Sequence, residues 1–178
     1  QYRNQELKAL KSELEQLVQE RTAELQNAKE RLEKIAFLDP LTNIPNRRFF
    51  IDQTHRLIKS CNRRQLSIAF GLLDIDDFKL VNDTHGHDAG DLILKKLAEY
   101  FAVFFRADEA YCRYGGEEFA FTLVIEKESD LEIITTRLIN GIRDLKVSVN
   151  GHDLSVSASA GFKLCHPSYG VDFEKEMK

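Results

Sequence analysis

Two short stretches of this 178-residue chain concentrate carboxylates where they could do chemistry. The first is Leu73-Asp74-Ile75-Asp76-Asp77-Phe78-Lys79, which follows directly on an apolar run, LSIAFGLL. A carboxylate at the end of a buried strand is expensive unless it is paired, hydrogen-bonded or bound to a cation. The second is Arg113-Tyr114-Gly115-Gly116-Glu117-Glu118-Phe119, where two acids emerge from a glycine turn. If the two stretches lie side by side, Asp74 and Glu117 can converge with a backbone carbonyl on a hard divalent cation. Oxygen donors of this kind suit Mg²⁺ (or Mn²⁺), which keeps water and substrate phosphates as further ligands. The plain alternative is a solvated acidic turn, and spacing by itself leaves both open.

These residues need a strand and a hairpin to carry them, and the surrounding pattern supplies both. Gln65 to Leu73 reads as a buried strand. Phe78 to Asp83 reads as a short helix closed by His85-Gly86, and Asp88 as the cap of a longer helix with Leu92, Ile93, Leu97, Phe101, Phe104 and Phe105 on its apolar face. Tyr111–Tyr114 and Glu117–Ile125 form a hairpin by pattern, with Gly115-Gly116 giving the positive φ of the turn. A helix is expected near Asn46–Asn62 and another over Ser129–Leu145. A last hairpin is expected to join Lys146–Val149 to Leu154–Cys165. Hairpins interrupt the strand–helix alternation, so the expected class is α/β (α+β), a mixed sheet flanked by helices.

Residues 1–37 are different. From Gln5 to Phe37 there is no Gly or Pro, and Leu7, Leu10, Leu14, Leu17 and then Leu25, Ala28, Leu32, Ile35 repeat a 3-4-3 spacing. The two runs are out of phase by the four residues of a stutter. A parallel two-stranded coiled coil fits this narrow stripe, with a homodimer formed through residues 5–37; a single amphipathic helix packed on its own domain is the alternative. The domains are then a coiled-coil signalling helix, 1–37, and a second domain, 38–178.

Composition limits the partners. Lys+Arg 25 against Asp+Glu 29 gives a net charge of −4, so there is no global basic field for a nucleic acid polymer. Cys61, Cys112 and Cys165 are odd in number and lack a C-x-x-C pair, which suits a reducing, cytoplasmic setting. No apolar run approaches the roughly 18–20 residues of a membrane span, so no membrane contact is expected within this chain. The chain begins inside a helical pattern, as a piece of a longer protein would; an upstream sensor could anchor that protein to the inner membrane.

Gly115-Gly116-Glu117-Glu118-Phe119 closely resembles the signature of the GGDEF domain, the diguanylate cyclase family. Asp39-Pro40-Leu41-Thr42-Asn43-Ile44-Pro45-Asn46-Arg47-Arg48 is similar to that family's D-x-L-T-G-L-P-N-R-R motif, with Asn43 in place of glycine. Asp74 to Asp83 and Gly86-His87-Asp88-Ala89-Gly90-Asp91 are similar to its nucleotide-binding stretch. The motifs occur in the family's order across residues 39–165.

The resemblance implies condensation of two GTP into cyclic di-GMP with release of two pyrophosphates, on a fold like the palm of nucleotide cyclases and polymerases. By that likeness Asp74, the Ile75 carbonyl and Glu117 would hold Mg²⁺. Glu117 would also assist deprotonation of the attacking 3′-hydroxyl, and Glu118 matches the second acidic position of the hairpin. Asn82 and Asp91 would read guanine, His87 would lie near the nucleotide, and the amides around Phe78 and Lys79 would cradle phosphates. Each has an ordinary alternative: Asp91 in the first turn of its helix, Asn82 as a helix cap, His87 as a turn residue. Asp76 and Asp77 read as solvated or structural.

Two departures stand out. The family's closing A-K-x-x-G-R-N helix, whose Lys and Arg grip terminal phosphates, has no match after Phe173, so the second domain is expected to lack its last helix. Many family members carry an R-x-x-D site where the product docks and inhibits; here the positions are Arg106-Ala107-Asp108-Glu109, and the longer Glu109 implies weakened inhibition, with an ordinary exposed pair at a helix end as the alternative. The favoured reading is a Mg²⁺-dependent diguanylate cyclase, active as a dimer and controlled from upstream through the coiled coil. The alternatives are a catalytically silent module binding GTP or cyclic di-GMP, and a cyclase with a single-nucleotide product.

Overall fold

The structure is a computed structural model, and it describes residues 2–149 and 151–166. The chain divides into two units, residues 1–36 and residues 37–178.

The first unit is built by a single helix, α1 (Tyr2–Phe37), whose last residue already belongs to the second unit. Exposed ion pairs at i,i+3 and i,i+4 run along it: Arg21 with Glu24 at 2.6 Å, Lys11 with Glu15 and Lys29 with Glu33, both at 3.8 Å. Each contributes a few tenths of a kcal/mol at most. Leu14, Leu17, Val18, Leu25 and Leu32 are all at least half exposed on this helix.

The first complete helix of the second unit is α2 (Arg47–Arg64). Asn46 caps it by accepting from the Phe49 amide at 3.0 Å, and Gln65 closes it in the left-handed region. Next come β1 (Ser67–Ile75), α3 (Phe78–His85), α4 (His87–Phe104), β2 (Ala110–Gly115), β3 (Glu118–Ile125) and α5 (Glu128–Arg143). The last elements among the described residues are β4 (Val147–Val149), β5 (His152–Leu154) and β6 (Ala158–Cys165).

One four-stranded sheet has the order β2-β3-β1-β6, with β1 at its centre and every ladder antiparallel. Alternation along the strands divides the core in two. Ile68 and Phe70 of β1 with Ala120 of β3 pack under Phe50, Ile58 and Cys61 of α2. Ala69, Leu73, Phe119, Phe121 and Leu123 pack on the other face under Ile93, Leu97 and Phe101 of α4 and Leu138 and Ile142 of α5. Phe101 is fully buried and meets Phe105, Tyr111 and Phe119 edge to face. A buried bond of 3.0 Å between the Thr54 and Thr122 hydroxyls ties α2 to β3.

The helix-flanked sheet of the α/β class is present, with differences of detail. The expected mixed sheet has only antiparallel ladders among the described residues, because β1 receives β3 and β6 on its two sides in the same sense; the parallel pairing present is one isolated bridge, Asn46 with Arg113. The last hairpin splits: β4 pairs with β5 in a small ribbon, while β6 leaves it to join β1. Gly86, at φ 85°, precedes α4 as its cap, so Asp88 sits in the first turn instead of capping. Of the glycine pair, Gly116 alone takes positive φ, at 53°. The expectations for the chain after Phe173 lie outside the described residues. No described helix is long and apolar enough to cross a membrane.

Candidate active site

The site forms where β1 runs out of apolar residues. Ile68, Phe70 and Leu72 lie on the α2 face, and the two-residue period carries Asp74 onto that face one step past the core. Asp74 is opposite Glu118 of β3 on one side and Ser159 of β6 on the other. Directly opposed residues in an antiparallel pair have Cβ atoms roughly 4.5–5.5 Å apart, so the two carboxylates are neighbours. Glu117, half-buried, occupies the turn just before β3. Partial loss of solvent raises the Asp74 carboxyl above its ordinary value, and the negative charges of Glu117, Glu118 and Asp76 raise it further.

Asp76 has the opposite character. Its Oδ2 accepts from the Ser157 hydroxyl at 2.6 Å and its Oδ1 from the Ser159 hydroxyl at 2.7 Å, and these bonds lower its carboxyl. Its amide also donates to the Ser157 carbonyl at 3.0 Å. Asp76 therefore seams β1 to β6. Ile75, paired with Ala158, has its side chain in the core.

The short helix α3 comes next. Asp77 precedes it at φ 54° and makes no side-chain cap bond, so the first-turn amides of Phe78 and Lys79 are left uncapped by it. Phe78 is buried and Lys79 exposed. Asn82 lies on α3 against α4, and its Oδ1 is buried without a hydrogen-bond partner. Room for that oxygen exists because residue 90 has no side chain: a Cβ on Gly90 would come within 2.1 Å of Asn82 Oδ1 and 3.0 Å of the Phe78 ring. His87 starts α4 and is exposed; Asp91, one turn on, is half-buried.

Asp74, Glu117 and Glu118 are thus brought together. Asn82 and Gly90 are in contact across the α3–α4 pair. Arg106 and Glu109 are elsewhere, in a turn after α4 that closes on itself. The Arg106 amide donates to Glu109 Oε2 at 2.8 Å and the Glu109 amide to the Arg106 carbonyl at 3.1 Å. Burial raises the Glu109 carboxyl, against the lowering effect of the Arg106 amide and charge. Arg106 also lines a cavity of about 270 Å³ with Glu126, Asp130 and Arg137.

Among the described residues no three His, Cys, Asp or Glu side chains form a cluster able to hold a metal ion alone. The donor set at Asp74 nevertheless fits Mg²⁺, which commonly takes one or two carboxylates and completes its shell with water and phosphate oxygens. The charge repulsion that raises Asp74 is what a cation there would relieve. Cys61 and Cys112 are buried thiols, and burial pushes Cys112 up to about 12, far from a nucleophile's range. Sequence reasoning missed the ties of Arg113 to Asp39 and to Gly116, and of Asp76 to Ser157 and Ser159. Asp39, Ser157 and Ser159 come from distant parts of the chain, 74 to 83 residues away, and leave no local pattern, while the Arg113–Gly116 bond spans three residues across the bulge at the turn.

The chain matches the family "Diguanylate cyclase, GGDEF domain" over residues 36–178. It is 34% identical over 135 residues to diguanylate cyclase DosC of Escherichia coli, covering 74% of this chain and 29% of that protein. It is 30% identical over 155 residues to cyclic di-GMP phosphodiesterase NbdA of Pseudomonas aeruginosa, covering 87% of this chain and 20% of that one. The chain thus spans under a third of either relative. The coiled coil and GGDEF domain of DgcB from Caulobacter crescentus, solved with c-di-GMP, superposes with a TM-score of 0.76 at 28% identity, covering 92% of this chain and 88% of that one. The carboxylates at the end of β1 and at the β2–β3 turn are set in a GGDEF fold, and the chain belongs to the GGDEF, diguanylate cyclase, family.

Proposed function

We propose that this chain is a Mg²⁺-dependent diguanylate cyclase that condenses two GTP into cyclic di-GMP and two pyrophosphates. The observation that carries the reading is the opposition of Asp74 and Glu118 across β1 and β3, with Glu117 beside them and their charges in mutual repulsion. Asp74, Glu117 and the Ile75 carbonyl would hold the metal, which supplies stabilisation of the charge developing on the transferred phosphoryl group. Glu117 would also take the proton of the attacking 3′-hydroxyl as general base, with Glu118 as the second acid of the site.

Guanine offers N–H donors on its N1 and N2, and the unpartnered, buried Asn82 Oδ1 is an acceptor suited to them. Asp91 would accept a second such bond, and His87 would lie beside the nucleotide. The uncapped amides of Phe78 and Lys79 would receive phosphate oxygens. Since one site holds one GTP, bond formation needs two sites face to face. The exposed leucine stripe of α1 supports a coiled-coil homodimer that raises the effective concentration of one half-site near the other, under the control of an upstream sensor. DgcB, solved as a coiled coil with its GGDEF domain, supports the same reading.

A silent module that binds GTP or cyclic di-GMP without turnover is the second reading, and the relative named a phosphodiesterase keeps it in play. The test is incubation with GTP and Mg²⁺ of this chain, of Glu117→Gln, and of a version carrying the family's closing Lys/Arg helix. Products are separated by chromatography. Cyclic di-GMP from the unaltered or extended protein, and none from Glu117→Gln, establishes the cyclase. Bound nucleotide with no product from any version establishes the silent module, and a single-nucleotide cyclic product overturns both.

A further inference from the structure

The ladder of the β2–β3 hairpin is irregular next to its tip. Pairing runs in step from Ala110 with Thr122 to Arg113 with Phe119, then shifts so that Gly115 meets Glu118. Tyr114 is the extra residue of this bulge, and a bulge loosens the ladder and re-aims the residues beyond it. A side chain from within the strand adds a second hold on the tip. Arg113 Nε donates to the Gly116 carbonyl at 2.9 Å. That carbonyl belongs to the planar peptide whose nitrogen is Glu117's own, so the bond fixes the plane from which Glu117 departs.

The guanidinium is itself held from the other side. Its Nη1 donates to Asp39 Oδ1 at 3.1 Å and to Oδ2 at 3.4 Å, and the two side chains are only 16% and 17% exposed. Asp39 Oδ1 also accepts from the Thr42 amide at 2.9 Å and the Thr42 hydroxyl at 2.6 Å. Burial raises the Asp39 carboxyl, but the Thr42 bonds and Arg113 outweigh it and leave it lowered, so the counter-charge persists. The Arg113 amide donates to the Pro45 carbonyl at 3.1 Å, which pins the main chain as well.

We propose that Arg113 is a positioning residue: Thr42 orients Asp39, Asp39 orients the guanidinium, and the guanidinium holds the Gly116–Glu117 peptide so that Glu117 meets Asp74. This rests on the role given to Glu117 under the proposed function. A rigid planar fork is required, because a point charge cannot bond a carbonyl and a carboxylate in two fixed directions at once. An ion pair that merely stabilised the fold would cost activity only in step with stability.

The test compares Arg113→Lys, Asp39→Asn and their double variant with the unaltered full chain. Thr54→Ala, which breaks the buried Thr54–Thr122 bond, is the stability control. In Arg113→Lys, kcat should fall about 30-fold or more, with KM for GTP within about threefold and the Mg²⁺ concentration for half-maximal rate up about tenfold, as a displaced catalytic group demands. The double variant should be no worse than Arg113→Lys alone, since both break one chain of contacts. Amide exchange at Glu117 should quicken while that of Leu123 in mid-strand does not. Activity within twofold of the unaltered chain, or a loss of kcat that tracks melting temperature as in Thr54→Ala, overturns the proposal. If the unaltered chain and Glu117→Gln alike form no cyclic di-GMP, the functional reading fails by itself. Amide exchange then decides the clamp, and unchanged exchange at Glu117 in Arg113→Lys removes it.

Discussion

Asp74 and Glu118 stand opposite each other across the β1–β3 ladder, so two carboxylates hold adjacent positions on one sheet face. The Asp74 carboxyl is raised by lost solvent and by its acidic neighbours, so the folded chain keeps that proton to higher pH than the unfolded chain does. Ionising Asp74 therefore costs folding stability, a cost absent below the ordinary carboxylate value of about 4 and complete once pH exceeds the folded one. Asp74→Asn should melt above the metal-free unaltered chain at pH 7, with the gap closing as pH falls. Mg²⁺ should raise the melting temperature of the unaltered chain and not of the variant, whose cyclic di-GMP formation drops roughly 10²–10³-fold. Calorimetry over pH 4–8 with and without Mg²⁺, beside a product assay, reads all three, and a variant that melts lower at pH 7 would refute the repulsion. Asp76, shifted the other way by Ser157 and Ser159, should lose stability on Asp76→Asn at pH 7.

Gly90 makes the space that Asn82 occupies. Gly90→Ala drives a methyl into Asn82 Oδ1 and costs about 1–3 kcal/mol by overpacking. Its more specific effect should be on GTP: KM rises about tenfold, as expected when a hydrogen bond to the base is misaligned, while kcat changes less. Steady-state kinetics on GTP and stability by denaturant titration separate the two effects. An unchanged KM would take Asn82 out of the guanine site.

The Glu109 carboxylate is already committed to the Arg106 amide. Cyclic di-GMP should therefore bind at this turn only weakly, and Glu109→Asp, whose shorter arm releases that amide, should tighten it several-fold. Isothermal titration of the unaltered chain, Arg106→Ala and Glu109→Asp is the measurement. Equal affinity in all three would show that product does not dock here.

Much of the fold is legible in the sequence because its signals are local. The apolar run before Asp74, the Asn46 cap of α2 and the glycine turn at Gly116 each state their element within a few residues. The register that sets Asp74 against Glu118 is foreseeable only as a condition, that the hairpin lie beside β1. The departure of β6 from its expected hairpin depends on pairing with β1, a contact across some ninety residues that no window can hold. Asp88 reads as a cap because Asp commonly fills that position, whereas Gly86 at φ 85° does so here without a side chain. The Arg113–Asp39 bond joins residues 74 apart and has no periodic trace.

The Arg47 guanidinium lies 4.3 Å from the centre of the Tyr114 ring, on the bulge that leads into the Gly116 turn. The chain contains no Trp. An indole is the ring that guanidinium favours most, so Tyr114→Trp should keep the stacking and install a single fluorophore three residues from Glu117. Its emission would report the arrival of nucleotide or cation at the hairpin in real time, without a label and without waiting for product.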